Sequence, residues 1–211
     1  MGDTKIPNPK SQNPNLPSPL GRGAGGEGRY ELRFSGEGGQ GIILGGSILA
    51  EAAILHQGKY AVQSPQYGSR VRGGPTKVDV IVSDSPILYP RATKIDFFLA
   101  LAQMSYNQYA TDLADDAVLL VDANLVPHVI ENGHVIHRLP IVEIAKIELD
   151  NEVLSNSVAL GAVVALTGIV SHEAAWNAIE ARVPAKAREI NRRAFERGLE
   201  AAELCPTKPV K

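Results

Sequence analysis

The residues best placed to do chemistry form one run, Ser35-Gly36-Glu37-Gly38-Gly39-Gln40-Gly41, between a short apolar strand (Tyr30 to Phe34) and an amphipathic stretch from Ile42 to Leu55. Glycines at 36, 38, 39 and 41 permit positive φ and close backbone approach. A helix starting at Ile42 would aim free N–H groups and a partial positive charge into the turn. Such a turn cradles a phosphate or carboxylate. The spacing fits G-x-G-x-x-G in its strand and helix context, but the acid expected about 20 positions later to hold an adenosine ribose is missing. That stretch reads His56-Gln57-Gly58-Lys59-Tyr60-Ala61-Val62-Gln63-Ser64, which counts against a nicotinamide or flavin dinucleotide. A purely structural reading stands beside the binding one, in which Gly36 and Gly41 only let helix and strand pack tightly. Gln40, a carboxamide between two glycines at the mouth of a helix, tips the balance towards hydrogen bonding with a ligand or a neighbouring chain.

A second candidate is the loop Ser64 to Pro75, where Arg70 and Arg72 flank Val71 on a segment punctuated by Gly and Pro. Guanidiniums there can meet phosphate, carboxylate or a partner's acidic surface. In an open α/β sheet this loop and the glycine turn share the carboxyl edge. The remaining polar residues offer less. Of His56, His128, His134, His137 and His172 only His134 and His137 are close in sequence, and a strand would place them on opposite faces, so no metal site is expected. Asp122 ends an apolar run as a turn or capping residue, with a binding role the less common reading. No Ser, His and Asp set and no Cys and His pair suggests a nucleophile, so no catalytic residue is assigned.

The elements that must position these residues fit one domain. The chain has 211 residues, 44% of them hydrophobic, enough for one buried core. A formal charge of -2 gives no global attraction to nucleic acid or an anionic membrane. One cysteine, Cys205, excludes an internal disulfide, and a cysteine-ligated iron–sulfur cluster or zinc built by this chain alone. Without an apolar leader or a membrane-length segment, the cytoplasm is the expected compartment. Residues 1–28, rich in Pro and then Gly, read as a disordered extension; residues 29–204 as the folded domain; residues 205–211 as a flexible tail.

Within the fold, strands are expected over Tyr30 to Phe34, Lys59 to Gln63, Thr76 to Ser83, Asp96 to Ala102, Ala117 to Asp122 and His134 to Leu139. The third alternates Val78, Val80 and Val82 with Lys77, Asp79 and Ile81, as a strand with one more exposed face would. Tyr106 to Leu113 reads as a crossover helix, Val129-Ile130 as a hairpin partner for the last strand, and Ile141 as the start of a short helix. The C-terminal third is helical: Ser155 to Val170 with Gly161 and Gly168 allowing close approach, His172 to Arg182 capped by Ser171, and a helix from Pro184 to about Leu204. Trp176 and Phe195 are expected to fill core, and the basic face of the last helix to be solvated. The fold class is α/β, a Rossmann-like mostly parallel sheet with helices on both faces and a helical C-terminal third.

Phe34-Ser35-Gly36-Glu37-Gly38-Gly39-Gln40-Gly41 followed by Leu49-Ala50-Glu51-Ala52-Ala53 resembles the opening of the gamma subunit of 2-oxoacid:ferredoxin oxidoreductases. Further blocks in the same order are similar to that family: Lys59 to Gln63, Tyr67-Gly68, Arg72-Gly73-Gly74, Ser83-Asp84, Asn156 to Ala162 and Asn191 to Gly198. The chain departs at Ser69-Arg70, where the family often has Pro-Glu. The resemblance implies a subunit of a complex that decarboxylates a 2-oxoacid oxidatively, reduces ferredoxin and forms acyl-coenzyme A. The complex would use thiamine diphosphate, Mg, iron–sulfur clusters and coenzyme A, with none bound by this chain alone, and the isolated chain inactive. Its partners would be the alpha and beta subunits, with delta as a third candidate, and ferredoxin through the complex, with no nucleic acid and no membrane. Gly36, Gly38, Gly39, Gln40, Gly41 and Arg72 would line a coenzyme A approach or a subunit interface. The Tyr60-Ala61-Val62-Gln63 wording leans towards the 2-oxoglutarate or branched-chain types, of which the 2-oxoglutarate type is the expected one. The alternatives are the small subunit of an arylpyruvate (indolepyruvate) oxidoreductase and a free-standing nucleotide-binding module.

Overall fold

The computed structural model describes residues 28–67 and 73–205. The extension expected over 1–28 and the tail expected over 205–211 therefore lie outside the described residues, except for Gly28 and Cys205. One six-stranded sheet organises the domain. Its strands are β1 (Arg29–Glu37), β2 (Tyr60–Gln66), β3 (Pro75–Ser83), β4 (Ile95–Ala100), β5 (Leu113–Asp122) and β6 (Val135–Leu139), in the spatial order β2-β3-β1-β4-β5-β6. β1, β4, β5 and β6 run parallel, whereas β3 is antiparallel to both β1 and β2. Periodicity marked β3 as a strand but could not give its direction. A connection of eight residues between β2 and β3 is too short for a crossover and makes a hairpin instead.

Alternation along the strands splits the core. Leu32, Phe34, Val78, Val80 and Val82 face the layer formed by α1 (Ile42–Gln57), α4 (Ser155–Thr167), α5 (His172–Arg182) and α6 (Arg188–Glu203). Ile95, Phe98, Ala100, Leu119 and Val121 face α2 (Gln103–Tyr109) on the other side. The expected helices on both faces are present, and the C-terminal part is helical. α2 begins three residues earlier than the sequence pattern indicates and stops at Tyr109, because the chain turns through positive φ at Asp112 into β5.

The polar side of β3 is not an exposed face. Asp79 is only 8% exposed and receives a fork from Arg33 on β1 (Nε to Oδ1 2.6 Å, Nη2 to Oδ2 3.0 Å) and the ammonium of Lys77 at 2.7 Å. Arg33 also donates to the carbonyls of Tyr109 and Thr111 at the foot of α2. Beside it the buried Glu31 carboxylate accepts Arg29 Nε and the amides of Thr93 and Lys94, which draws the 84–94 connection across the sheet. Charges satisfied on all sides can sit inside; a single one left over could not.

Val129 and Ile130 form no strand. The β5 to β6 connection is irregular, pinned to α2 by Gln103, which exchanges two hydrogen bonds with the His128 backbone, and by Tyr106 Oη, which accepts the Ile130 amide. Asp122 is a capping residue: Oδ1 accepts the amides of Asn124 and Leu125, and Oδ2 that of Val142 at the short helix α3 (Ile141–Glu143), which runs on into a π-helical turn. α4 ends at Thr167 rather than Val170, since Gly168 terminates it in the left-handed conformation. Gly161 does allow close approach. It meets Gly198 of α6 where the two helices cross, each lying against the other's backbone. Ser171 caps α5 as expected, accepting the Ala174 amide at 3.1 Å. Phe195 is core, while Trp176 is only partly covered and lies 5.5 Å beneath the Arg192 guanidinium.

Candidate functional site at the carboxyl edge

The glycine turn follows β1 at the carboxyl edge of the parallel strands, and its glycines divide by task. Gly36 is buried, and a Cβ there would lie 2.5 Å from Gln40 Oε1 and 2.8 Å from Ile42 Cγ1, so only glycine fits. Gly41 begins α1 with φ +72°, and a Cβ there would press on Asn156 at 3.2 Å. Gly38 and Gly39, by contrast, are exposed, and a Cβ at Gly39 would meet nothing within 4 Å. The outer two are thus packing positions and the middle two are open to an approaching group.

α1 itself presents an uncapped start. No side chain caps it, its first turn holds no acid, and its first ladder bond runs from the Gly45 amide to the Gly41 carbonyl. The amides of Ile42, Ile43 and Leu44 precede that bond, so the helix end attracts an anion. Glu37, half-buried, is the turn's own carboxylate and sets a limit on how much negative charge can sit there.

Gln40 spends its carboxamide inside the chain. Oε1 accepts the Glu37 amide at 2.7 Å, tightening the turn, and Nε2 donates to the Leu101 carbonyl at 3.1 Å, tying the turn to the end of β4. From below, Ser105 of α2 donates to the Gly36 carbonyl at 2.6 Å. The chain leaves β1 towards α1 on one face and β4 towards α2 on the other, so these bonds cross the switch-point crevice where open α/β sheets bind dinucleotides.

The hairpin connection reaches the same edge, as the sequence suggested: the Gly38 amide donates to the Gly74 carbonyl at 3.2 Å. Tyr109 Oη donates to the Pro75 carbonyl at 3.2 Å, and burial pushes that phenol up, partly offset by the Arg33 charge. Arg72 and Arg70 lie outside the described residues. Asn156, not among the site residues expected from the sequence, belongs here as well. Its half-buried side chain stands against both Gly41 and Gly45, next to the start of α1. The signal available was a carboxamide at the N-terminus of an otherwise small and apolar helix.

The elements that follow the strands at this edge include exposed apolar side chains, Leu44 in the first turn of α1, Tyr67 after β2, Met104 in the first turn of α2 and Leu125 after β5. A separate open depression of ≈ 650 Å³ between α2 and the β5 to β6 connection, edged by Asn107, His128, Ile130 and Arg138, contains none of the predicted site residues. His137 is buried at 4% exposure with Nδ1 unpartnered, and burial pushes its pKa down; His134 stands just before β6. Among the described residues no group of three His, Cys, Asp or Glu is arranged to hold a metal, and no helix is long and apolar enough to cross a membrane.

Residues 31–201 match the pyruvate ferredoxin/flavodoxin oxidoreductase family model. The chain is 42% identical over 177 residues to the 2-oxoglutarate synthase subunit KorC of Methanocaldococcus jannaschii, covering 83% of this chain and 95% of that one. Among solved structures, the gamma subunit of a keto/oxoacid ferredoxin oxidoreductase from Geobacter sulfurreducens superposes with a TM-score of 0.77 at 48% identity, covering 83% of this chain and 97% of that one. The fold also recurs in the 2-oxoglutarate:ferredoxin oxidoreductase of Magnetococcus marinus, solved with 2-oxoglutarate, coenzyme A and succinyl-CoA bound (TM-score 0.78, 22% identity, 87% of this chain and 32% of that one).

Proposed function

We propose, since the chain belongs to the pyruvate ferredoxin/flavodoxin oxidoreductase family as one of its gamma-type subunits, that it serves a cytoplasmic 2-oxoglutarate:ferredoxin oxidoreductase. The observation that carries the reading is the meeting, on one sheet edge, of an open glycine turn and the uncapped start of α1. Leu44, Tyr67, Met104 and Leu125 are exposed side chains of the kind that a partner subunit covers. Alpha and beta subunits, with delta where present, would hold thiamine diphosphate, Mg and the iron–sulfur clusters, because one cysteine cannot ligate a cluster.

Coenzyme A, when bound in the complex, supplies the thiol that accepts the acyl group. This chain's share is to receive its phosphates: the amides at the start of α1 attract the anion, Gly38 and Gly39 leave room for it, and Arg72 adds a cation. Gly36, Gln40 and Gly41 shape the turn. The free-standing nucleotide module is less well supported, because the dinucleotide crevice is bridged by Gln40 and Ser105 and the ribose-binding acid is missing.

Affinity purification of the tagged chain from its own cells tests the proposal. The expected product is a brown complex that contains thiamine diphosphate and reduces ferredoxin with 2-oxoglutarate and coenzyme A. Faster turnover with indolepyruvate would move the assignment to the arylpyruvate type. A chain that elutes alone, or one that binds NAD tightly in isothermal titration, overturns the subunit reading.

A further inference from the structure

The geometry points to Gln40, Ser105 and Tyr109 as positioning residues that hold the glycine turn and the foot of the β2–β3 hairpin in one arrangement; this rests on the reading of that edge given above. Each makes its bond away from the exposed surface. Ser105 is fully buried and Tyr109 is 5% exposed, and the carbonyls they hold belong to Gly36 and Pro75. Those two residues sit one step apart on the β1–β3 ladder, where Gly36 pairs with Thr76 and Glu37 with Pro75. Ser105 and Tyr109 are themselves one helical turn apart on the same face of α2. A single short helix thus grips both halves of the site from below.

Gln40 acts along the other direction. It ties the turn to Leu101, the residue that follows β4, and its Oε1 lies where a side chain on residue 36 would begin. Removing the carboxamide frees the Glu37 amide and the Leu101 carbonyl together, so the open pair Gly38 and Gly39 loses its fixed relation to the start of α1. Hydrogen bonds of this kind do not add contact with a ligand. They reduce the number of turn conformations from which binding must select.

The test uses the reconstituted complex with Gln40→Met, Ser105→Ala or Tyr109→Phe in this chain, alongside Gly38→Trp as a direct obstruction. Gly38 is exposed and a Cβ there would only touch the Gly73 amide nitrogen at 3.5 Å, so the indole is accommodated without unfolding the turn. Measured are kcat, KM for coenzyme A, KM for 2-oxoglutarate, the dissociation constant of subunit assembly, and the melting midpoint of the isolated chain. Gln40→Met and Ser105→Ala are expected to shift the parameter that Gly38→Trp shifts, about tenfold, with KM for 2-oxoglutarate unchanged. Tyr109→Phe should shift it less, since it loosens the hairpin only. If Gly38→Trp alters coenzyme A use or assembly and the three variants do not, the positioning roles are overturned and the reading of the edge stands. If the variants lower only the melting midpoint, or all parameters alike, their role is merely structural. If Gly38→Trp moves nothing, the reading of the edge falls, and the positioning roles with it.

Discussion

The crossing of α4 and α6 invites a steric perturbation whose size can be worked out. A methyl on Gly198 would stand 2.0 Å from the Val158 carbonyl oxygen, and one on Gly161 2.1 Å from that of Phe195. To bring either to an ordinary contact of about 3.5 Å, the helices must part by roughly 1.5 Å. The obstacle is backbone on both sides, so no rotamer change relieves it. Parting them loosens Val158, Ala162, Ala194, Phe195 and Ala202, all buried in the same cluster. Alanine favours a helix over glycine by about 1 kcal/mol, which works in the opposite direction. Overpacking of this kind costs about 1–3 kcal/mol and occasionally more, and the separated surfaces lose dispersion energy besides. With the clash at the upper end of that range, because the obstacle is backbone on both sides, the expected net loss for Gly198→Ala is about 2 kcal/mol, or roughly 4–8 °C in Tm for a domain of this size. Differential scanning calorimetry with guanidinium unfolding of the purified chain measures it. Once the helices have parted, the second methyl meets less resistance, so Gly161→Ala with Gly198→Ala should cost less than the sum. Gly38→Ala, whose Cβ would make only an ordinary contact with the Gly73 amide nitrogen at 3.5 Å, serves as the control. A Tm that is unchanged or raised in Gly198→Ala would mean that propensity outweighs contact, and the close crossing would be refuted.

Arg33→Met leaves Asp79 with Lys77 alone and strips the Tyr109 and Thr111 carbonyls of a donor, so urea unfolding should show a loss of about 3 kcal/mol. Adding Asp79→Leu to it should recover part of that loss; no recovery would mean that the charge was not the cause. His137 contributes an acid-side loss of stability. Burial holds its folded pKa below the unfolded value near 6.5, so as pH falls through that value the unfolded chain takes up the proton first, and stability drops until the folded pKa is reached. His137→Leu should flatten the melting midpoint between about pH 7 and 5; an identical slope in the two proteins would assign the effect elsewhere.

Much of the frame was legible because periodicity reports burial. The strand before the glycine turn, the helix after it, the apolar runs of β4 and β5 and the Ser171 cap all follow from local pattern. What was not legible depended on partners distant in sequence. Lys77 and Asp79 look like a solvated strand face until Arg33, 46 residues from Asp79, is placed against them. The direction of β3 is a property of its neighbours rather than of its residues. Gln40 drew attention as a carboxamide at a helix mouth, and its internal bonds to Glu37 and Leu101 could not be read without the position of β4. Asn156 was hidden for the same reason, since only the fold brings the start of α4 against Gly41.

Because β3 runs antiparallel between β1 and β2, residues 67–74 connect two strand ends that the sheet holds beside each other, Gln66 opposite Lys77. Such a tip can be lengthened, shortened or recharged at little thermodynamic cost, since closing a loop twice as long costs only about 0.6 kcal/mol more. No helix or parallel strand has to be rebuilt to accommodate the change. The connection bearing Arg70 and Arg72 can therefore diverge rapidly while the glycine turn stays fixed. Grafting the connection from a relative between β2 and β3 would exchange its charges and leave the scaffold intact.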